Sequence, residues 1–247
     1  LQGVLASLDV TSLFTSVPVD ATINIILQRV YHNNIPHTLL IPEGTLAQLL
    51  RLCTKELPFQ DPRGQLFVQI DGVAMGSPLG PLFANFYMGR LKEITFGIIE
   101  KPPLYVRYVD DIFLVCRDTT QLDEVKDTLH KNSVLNFTVE LSDFQQRLAF
   151  LDVLVTQTSS GLTHEVFVKP SKEDTCMNGA GFCPDRYKRS VVFNFISRAY
   201  EISATWEMFH ADIKRIKALL VNNNYTNTMF YDILKAFLDK KVANANA

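Results

Sequence analysis

Two apolar, β-prone runs, Tyr105–Val109 and Ile112–Cys116, meet at Asp110-Asp111, and no other feature restricts the fold of this chain so tightly. Runs of this kind form strands, and acids between them place two carboxylates at the tip of a hairpin. Neighbouring charges on a tight turn repel, and they must be solvated or neutralised. Mg²⁺ does this well: it takes carboxylate oxygens, keeps several waters and accepts further ligands from substrate phosphates. Acid pairs in surface turns are also common, so the pair alone does not define a site. Val4–Val10 supplies a second acidic strand end, reading as a mostly buried strand that carries Asp9. Two-metal phosphoryl transfer, with ions about 3.5–4 Å apart, needs carboxylates converging from separate strands. Asp9 with Asp110 meets that need, and Asp111 helps to hold the site. Taken singly, Asp9 reads better as a structural residue.

The rest of the pattern predicts an α+β chain. Helical spacing covers Val19 to Asn33 and Thr45 to Leu52, with breaks at Pro36 and Pro42. Phe59 to Ile70 reads as a hairpin around Asp61-Pro62-Arg63-Gly64. A Gly- and Pro-rich loop, Asp71–Pro81, leads into a helix over Leu82 to Phe96. Leu122 to Lys131 is helical; Phe137–Leu141, Leu148–Val155 and Leu162–Val168 read as strands. Helices follow over Val191–Ile202, Glu207–Leu220 and Met229–Leu238. The change near Lys169-Pro170 divides an α+β part, residues 1–168, from a helical part, 169–247.

A hydrophobic share of 47% and an aromatic share of 11% describe a packed protein rather than a disordered one. The longest apolar stretches are too short to span a bilayer, and no signal peptide is visible before Leu8. Residues 1–168 hold 12 Lys+Arg against 18 Asp+Glu, whereas residues 169–247 hold 12 against 8. An acidic segment followed by a basic one suits a metal-binding core joined to a phosphate-tracking module, and ordinary surface variation gives the same numbers. Cys53, Cys116, Cys176 and Cys183 lack the spacing of a zinc knuckle and read as reduced thiols. A metal site joining Cys176 and Cys183 to His164 or His210 is the lesser alternative.

Three ordered motifs carry a family resemblance. Leu8-Asp9-Val10-Thr11-Ser12-Leu13-Phe14 resembles motif A of reverse transcriptases. Ala74-Met75-Gly76-Ser77-Pro78-Leu79, with Gln69 upstream, is similar to motif B, and Tyr108-Val109-Asp110-Asp111 to motif C. The match is nearer to Penelope-like retroelement reverse transcriptases, relatives of the telomerase type. It includes Arg107 to Phe113, Phe150-Leu151-Asp152, Val168-Lys169-Pro170-Ser171, Phe182-Cys183-Pro184 and Arg198-Ala199-Tyr200.

That resemblance implies a polymerase palm, an antiparallel sheet with packed helices, followed by a mainly helical thumb. The fingers that precede motif A in the family are absent, so the chain reads as a piece of something longer. The implied activity is RNA-directed DNA synthesis with two Mg²⁺ ions, or Mn²⁺ in their place, held by Asp9, Asp110 and Asp111. The implied partners are an RNA template, a DNA primer and dNTPs, with no membrane, and the implied location is intracellular and nuclear. Phe14 takes the place of the side chain beneath the incoming sugar, where an aromatic edge collides with a 2′-hydroxyl; without the motif it reads as core. Gly76 and Ser77 line the substrate, or form a tight turn before Pro78. Gln69 contacts template or nucleotide, or faces solvent on a strand. Phe150 and Leu151 resemble the primer grip, with Asp152 structural. Lys169, Lys172, Arg186, Lys188, Arg189 and Arg198 contact phosphates or are solvated surface. An RNA-templated RNA polymerase and an inactive or domesticated nucleic-acid-binding remnant are the competing functions.

Overall fold

The first strand, β1 (Val4–Val10), is followed by the short helix α1 (Leu13–Ser16), by α2 (Val19–Tyr31) and by α3 (Glu43–Leu52). A small hairpin, β2 (Pro58–Gln60) with β3 (Leu66–Val68), precedes the long helix α4 (Gly80–Ile98). Then come β4 (Leu104–Tyr108), β5 (Asp111–Cys116), α5 (Thr119–Lys131) and β6 (Phe137–Leu141). The computed structural model describes residues 2–32, 39–55, 57–169 and 175–245. Pro36, Pro170, Ser171 and Lys172 lie outside these residues.

The main sheet has the order β4-β5-β1-β6, and all its pairings are antiparallel. Its two central strands carry the most apolar sequence, and β5 is buried from Ile112 to Cys116. Ala6, Leu8 and Val10 of β1 alternate onto one face with Ile112, Leu114 and Cys116 of β5. Residues of α2, α4 and α5 complete the same core: Ile23 and Leu27, Phe83 and Met88, Val125 and Leu129. Each large aliphatic side chain so buried contributes about 1.5–3 kcal/mol. The helices begin where local chemistry allows: Asp118 caps α5 by accepting from the Gln121 amide at 2.8 Å. Both strands of the β2–β3 hairpin are exposed at every residue, with Phe59 and Phe67 stacked at 5.7 Å.

The chain divides into two units after Ser142. The second unit opens with a three-stranded antiparallel sheet of β7 (Arg147–Phe150), β8 (Val153–Thr158) and β9 (Gly161–Val166). It continues with α6 (Asp185–Ile202), α7 (Trp206–Asn222) and α8 (Asn227–Ala245). Val192, Ile196, Phe209, Ile216, Leu220, Phe230 and Phe237 form its separate core. The division lies earlier than the change expected near Lys169, because β9 packs on α6 and α7. The Ala204 amide also donates to the His164 carbonyl at 2.9 Å, tying sheet and helices together. The single strand expected over Leu148–Val155 is instead two strands, turning at Leu151-Asp152. Among the described residues no helix is long and apolar enough to cross a membrane.

Candidate active site

The registers of the main sheet bring the three aspartates to one end. Asp9 of β1 stands opposite Asp111 of β5, one step beyond the Leu8–Ile112 pair. Since Leu8 and Ile112 point into the helical core, Asp9 and Asp111 share the other face. Tyr108 also pairs with Asp111, which leaves Val109 and Asp110 as a two-residue loop. The Val10 amide donates to the Asp110 carbonyl at 3.3 Å, holding the hairpin tip beside the end of β1.

That tip is strained and braced. Val109 has φ +52°, a left-handed conformation that a β-branched residue rarely adopts. The Arg107 guanidinium donates to the Val109 carbonyl at 2.8 Å and to Asn85 Oδ1 of α4 at 3.1 Å. Partial burial pulls the Arg107 pKa below its usual value. Burial pushes the neighbouring Tyr105 hydroxyl up to about 12. A strained turn with a dedicated support is common at functional sites.

The glycine-rich segment is clamped onto the turn after β1. The Val73 amide donates to the Phe14 carbonyl at 2.7 Å. Asp71 Oδ1 accepts from the Val19 amide at 3.0 Å and from the Gly72 amide at 2.9 Å. Gly72 has φ +75°, and a Cβ there would lie 2.3 Å from the Thr15 carbonyl oxygen. Only glycine allows this approach. Gly80, which opens α4, leaves room for the Phe14 ring, 3.3 Å from where its own Cβ would stand.

The result is a cavity of about 580 Å³ whose walls include Ser12, Phe14, Met75, Gly76, Ser77 and Asp110. Phe14, Gly76, Ser77 and Asp110 line this cavity together, whereas Asp9 and Asp111 are not among its lining residues. Gly76 has φ +88° with open space around its Cβ position, so it is required for its conformation rather than for room. Ser77 builds the entry to α4: its carbonyl accepts from the Gly80 amide at 3.0 Å, and its Oγ from the Leu79 amide at 3.3 Å. Gln69 lies apart from this lining, its side-chain amide donating to the Asp71 carbonyl at 2.9 Å. Among the described residues no three His, Cys, Asp or Glu side chains gather closely enough to hold a metal ion. The donor chemistry at the strand end nevertheless fits a hard cation, with three carboxylates on adjoining backbone positions.

The remaining candidates fall in the second unit. Leu151, with φ +55°, forms the β7–β8 turn together with Asp152. The Phe167 amide donates to the Asp152 carbonyl at 2.8 Å, and the Asp152 carboxylate pairs with Arg198 of α6. Phe150 ends β7 opposite Val153. Lys188 is largely covered, 3.8 Å from Asp185. Arg186 stacks on Tyr187, and Lys169 is exposed. Asp71, Gly72, Asn85 and Arg107 were missed as positioning residues; only the Asp-Gly turn pair at 71–72 gave a local signal.

A family model described as reverse transcriptase (RNA-dependent DNA polymerase) matches residues 2–142, more than half of the chain. The chain belongs to this family. The match covers the first unit of this reverse transcriptase chain, including all three aspartates. A model described as an animal helix-turn-helix domain matches residues 178–233. No curated protein sequence matches. Among solved structures, telomerase from Candida albicans with the TWJ fragment of telomeric RNA aligns at 15% identity and TM-score 0.63, over 95% of this chain and 40% of that one. Apo telomerase from Candida tropicalis aligns at 16% identity and TM-score 0.52, over 95% and 43%. The Sicinivirus 3Dpol RNA-dependent RNA polymerase aligns at 12% identity and TM-score 0.50, over 94% and 51%. At these identities the likeness is one of fold: a palm and thumb of the polymerase type. The chain spans about two fifths to one half of the length of these structures.

Proposed function

We propose that this chain carries the catalytic centre of an RNA-directed DNA polymerase. The observation that supports it best is the single cavity joining Asp110, Phe14 and the Gly76-Ser77 loop. In the proposed reaction the primer 3′-oxygen attacks the α-phosphorus of a dNTP. The bond to the β-phosphate breaks, and pyrophosphate leaves with that electron pair. Asp9, Asp110 and Asp111 would hold two Mg²⁺ ions, or Mn²⁺ as substitute, which when bound offset charge on the reacting phosphate. The chain's own residues supply position and selection. Arg107 fixes the hairpin tip, Gly72 and Asp71 fix the wall of the cavity, and the Phe14 ring disfavours a 2′-hydroxyl on the incoming sugar.

The finer reading is a Penelope-like retroelement enzyme acting in the nucleus, supported by the motif series from Arg107 to Tyr200. Phe150 and Leu151 would hold the primer end, with Lys169 and Arg186 on phosphates. Primer extension on an RNA template with Mg²⁺, using the native polypeptide, tests the activity. Extension with dNTPs that falls at least a thousandfold in Asp110→Asn is the expected result. Extension unchanged by that substitution sinks the aspartate assignment. Template binding without extension supports a non-catalytic remnant. The likeness to a viral RNA polymerase favours one rival, ribonucleotide polymerisation. Preference for ribonucleotides in wild type, or no gain of them in Phe14→Ala, would count against the deoxynucleotide reading.

A further inference from the structure

We propose that the exposed face of α7 is a track for single-stranded nucleic acid, separate from the aspartate cavity, with a base stacked on Trp206 and phosphates held by His210, Lys214 and Lys217. The helix is divided lengthwise. Phe209, Ile216, Leu219 and Leu220 are buried in the unit's core. Trp206, His210, Lys214 and Lys217 recur at intervals of four, four and three, which places them on one other face.

Trp206 is 57% exposed although it is among the largest apolar side chains in the unit. It is held rigidly: Phe209 and Tyr200 meet its ring edge-on at 5.5 and 6.1 Å. The His210 ring lies 6.0 Å away and tilted by 38°, extending the surface along the helix. A cavity of about 290 Å³ opens at the foot of Trp206 between Tyr200, Ser203 and Thr205. Two polar hydroxyls and a propped aromatic plane make a place for a planar, polar ring.

The charge of this face suits a polyanion. Lys214 is exposed and has no ion pair among the described residues. Lys217 Nζ donates to the Tyr231 hydroxyl at 2.9 Å and lies 4.9 Å over its ring, with no acidic partner among the described residues. Of the acids on α7, Glu207 keeps its negative charge beside His210, one turn or more before the two lysines. Glu207 is engaged by its own backbone amide and the Thr205 hydroxyl at the start of α7, which lowers its pKa. Asp212 is held by Arg215 at 2.7 Å and is nearly covered. Stacking on an aromatic platform beside tracked phosphates is how single strands are bound without sequence preference. A duplex keeps its bases stacked internally and would leave the Trp206 plane unused. The link Ser203–Thr205 joins α6 and α7 within residues 178–233, the segment that matches the helix-turn-helix model.

Trp206 is the sole tryptophan of the chain, so its emission reports on this face alone. The full chain would be titrated in EDTA with twelve-residue oligo(dT) and oligo(U). Quenching that saturates and weakens with salt is expected. Lys214→Ala/Lys217→Ala should weaken the apparent Kd at least fivefold and reduce the salt slope by roughly 1.4, about 0.7 for each lost phosphate contact. Asp110→Asn should bind as wild type, separating this track from the polymerase reading. The proposal is overturned if oligonucleotides bind by anisotropy without changing Trp206 emission. It is equally overturned if polyglutamate quenches as strongly, if a duplex binds this face more tightly, or if Asp110→Asn abolishes the quenching.

Discussion

Asp9 and Asp111 stand directly opposite one another across β1 and β5, so two carboxylates share one rung at the end of the sheet. Like charges in that relation are destabilising by roughly 0.2–1 kcal/mol. Asp9→Asn is therefore expected to raise stability in EDTA by about that amount while abolishing primer extension. Chemical denaturation beside an extension assay checks both halves. A drop in stability together with lost activity would mean that Asp9 is a structural residue.

Arg107 supports the hairpin tip through the Val109 carbonyl. Arg107→Ala removes a charge-assisted bond to the Val109 carbonyl, of a kind that contributes about 1.5–3 kcal/mol. The expected outcome is a kcat reduced about tenfold, roughly 1.4 kcal/mol in the barrier, with KM for dNTP little changed. Arg107→Lys should restore part of kcat, because a single nitrogen, Nη1, makes both bonds and an ammonium reaching that place could donate to Val109 and Asn85 alike.

The two glycines of the clamped segment should respond differently to alanine. At Gly76 the cost is backbone conformation alone, about 1–2 kcal/mol. At Gly72 the same strain adds to overlap with the Thr15 backbone, and overpacking of that kind costs about 1–3 kcal/mol more. Urea midpoints for Gly72→Ala and Gly76→Ala give the comparison, and equal midpoints would disprove the clamp.

Asp143 gives a pH dependence of known sign. Its carboxylate accepts from the Arg147 backbone amide, the Arg147 side chain and the Gln145 amide, and these hold its pKa below the ordinary 3.8. A depressed carboxylate stabilises fully above its unfolded value, and that contribution is lost as pH falls through the folded one. The Tm gap between wild type and Asp143→Asn should stay constant from neutral pH to about 3.8 and close below it. A gap that widens in acid would contradict the sign.

The sequence makes the hairpin around Asp110-Asp111 and the meeting of Phe14 with Gly76 legible, because strand pattern and motif order both point there. Its supports are hidden, since the reach of Arg107 to Asn85 depends on packing between β4 and α4. Leu148–Val155 is apolar except for Asp152, and the turn at Leu151-Asp152 lacks the glycine or asparagine that usually marks φ above zero. Helix α6 starts six residues before the expected Val191, because Arg186, Lys188 and Arg189 show no apolar periodicity in its first turns. Pro184 at its N-cap was the available sign. Helix α8 runs seven residues past Leu238 through alanines and lysines, which favour helix without marking a face.

The position of β1 between β5 and β6 bears on how the chain comes off the ribosome. Asp9 and Thr138 touch although they are 129 positions apart. One edge of β1 stays open until β5 has been made, and the other until β6 at the end of the first unit. Pairings this distant in sequence form slowly and leave apolar edges open in the meantime. Asp9 and Asp111 cannot meet before β5 is made, and a nascent chain stalled before Phe137 would present the β6-facing edge of β1 to chaperones, or to other copies, as an open edge.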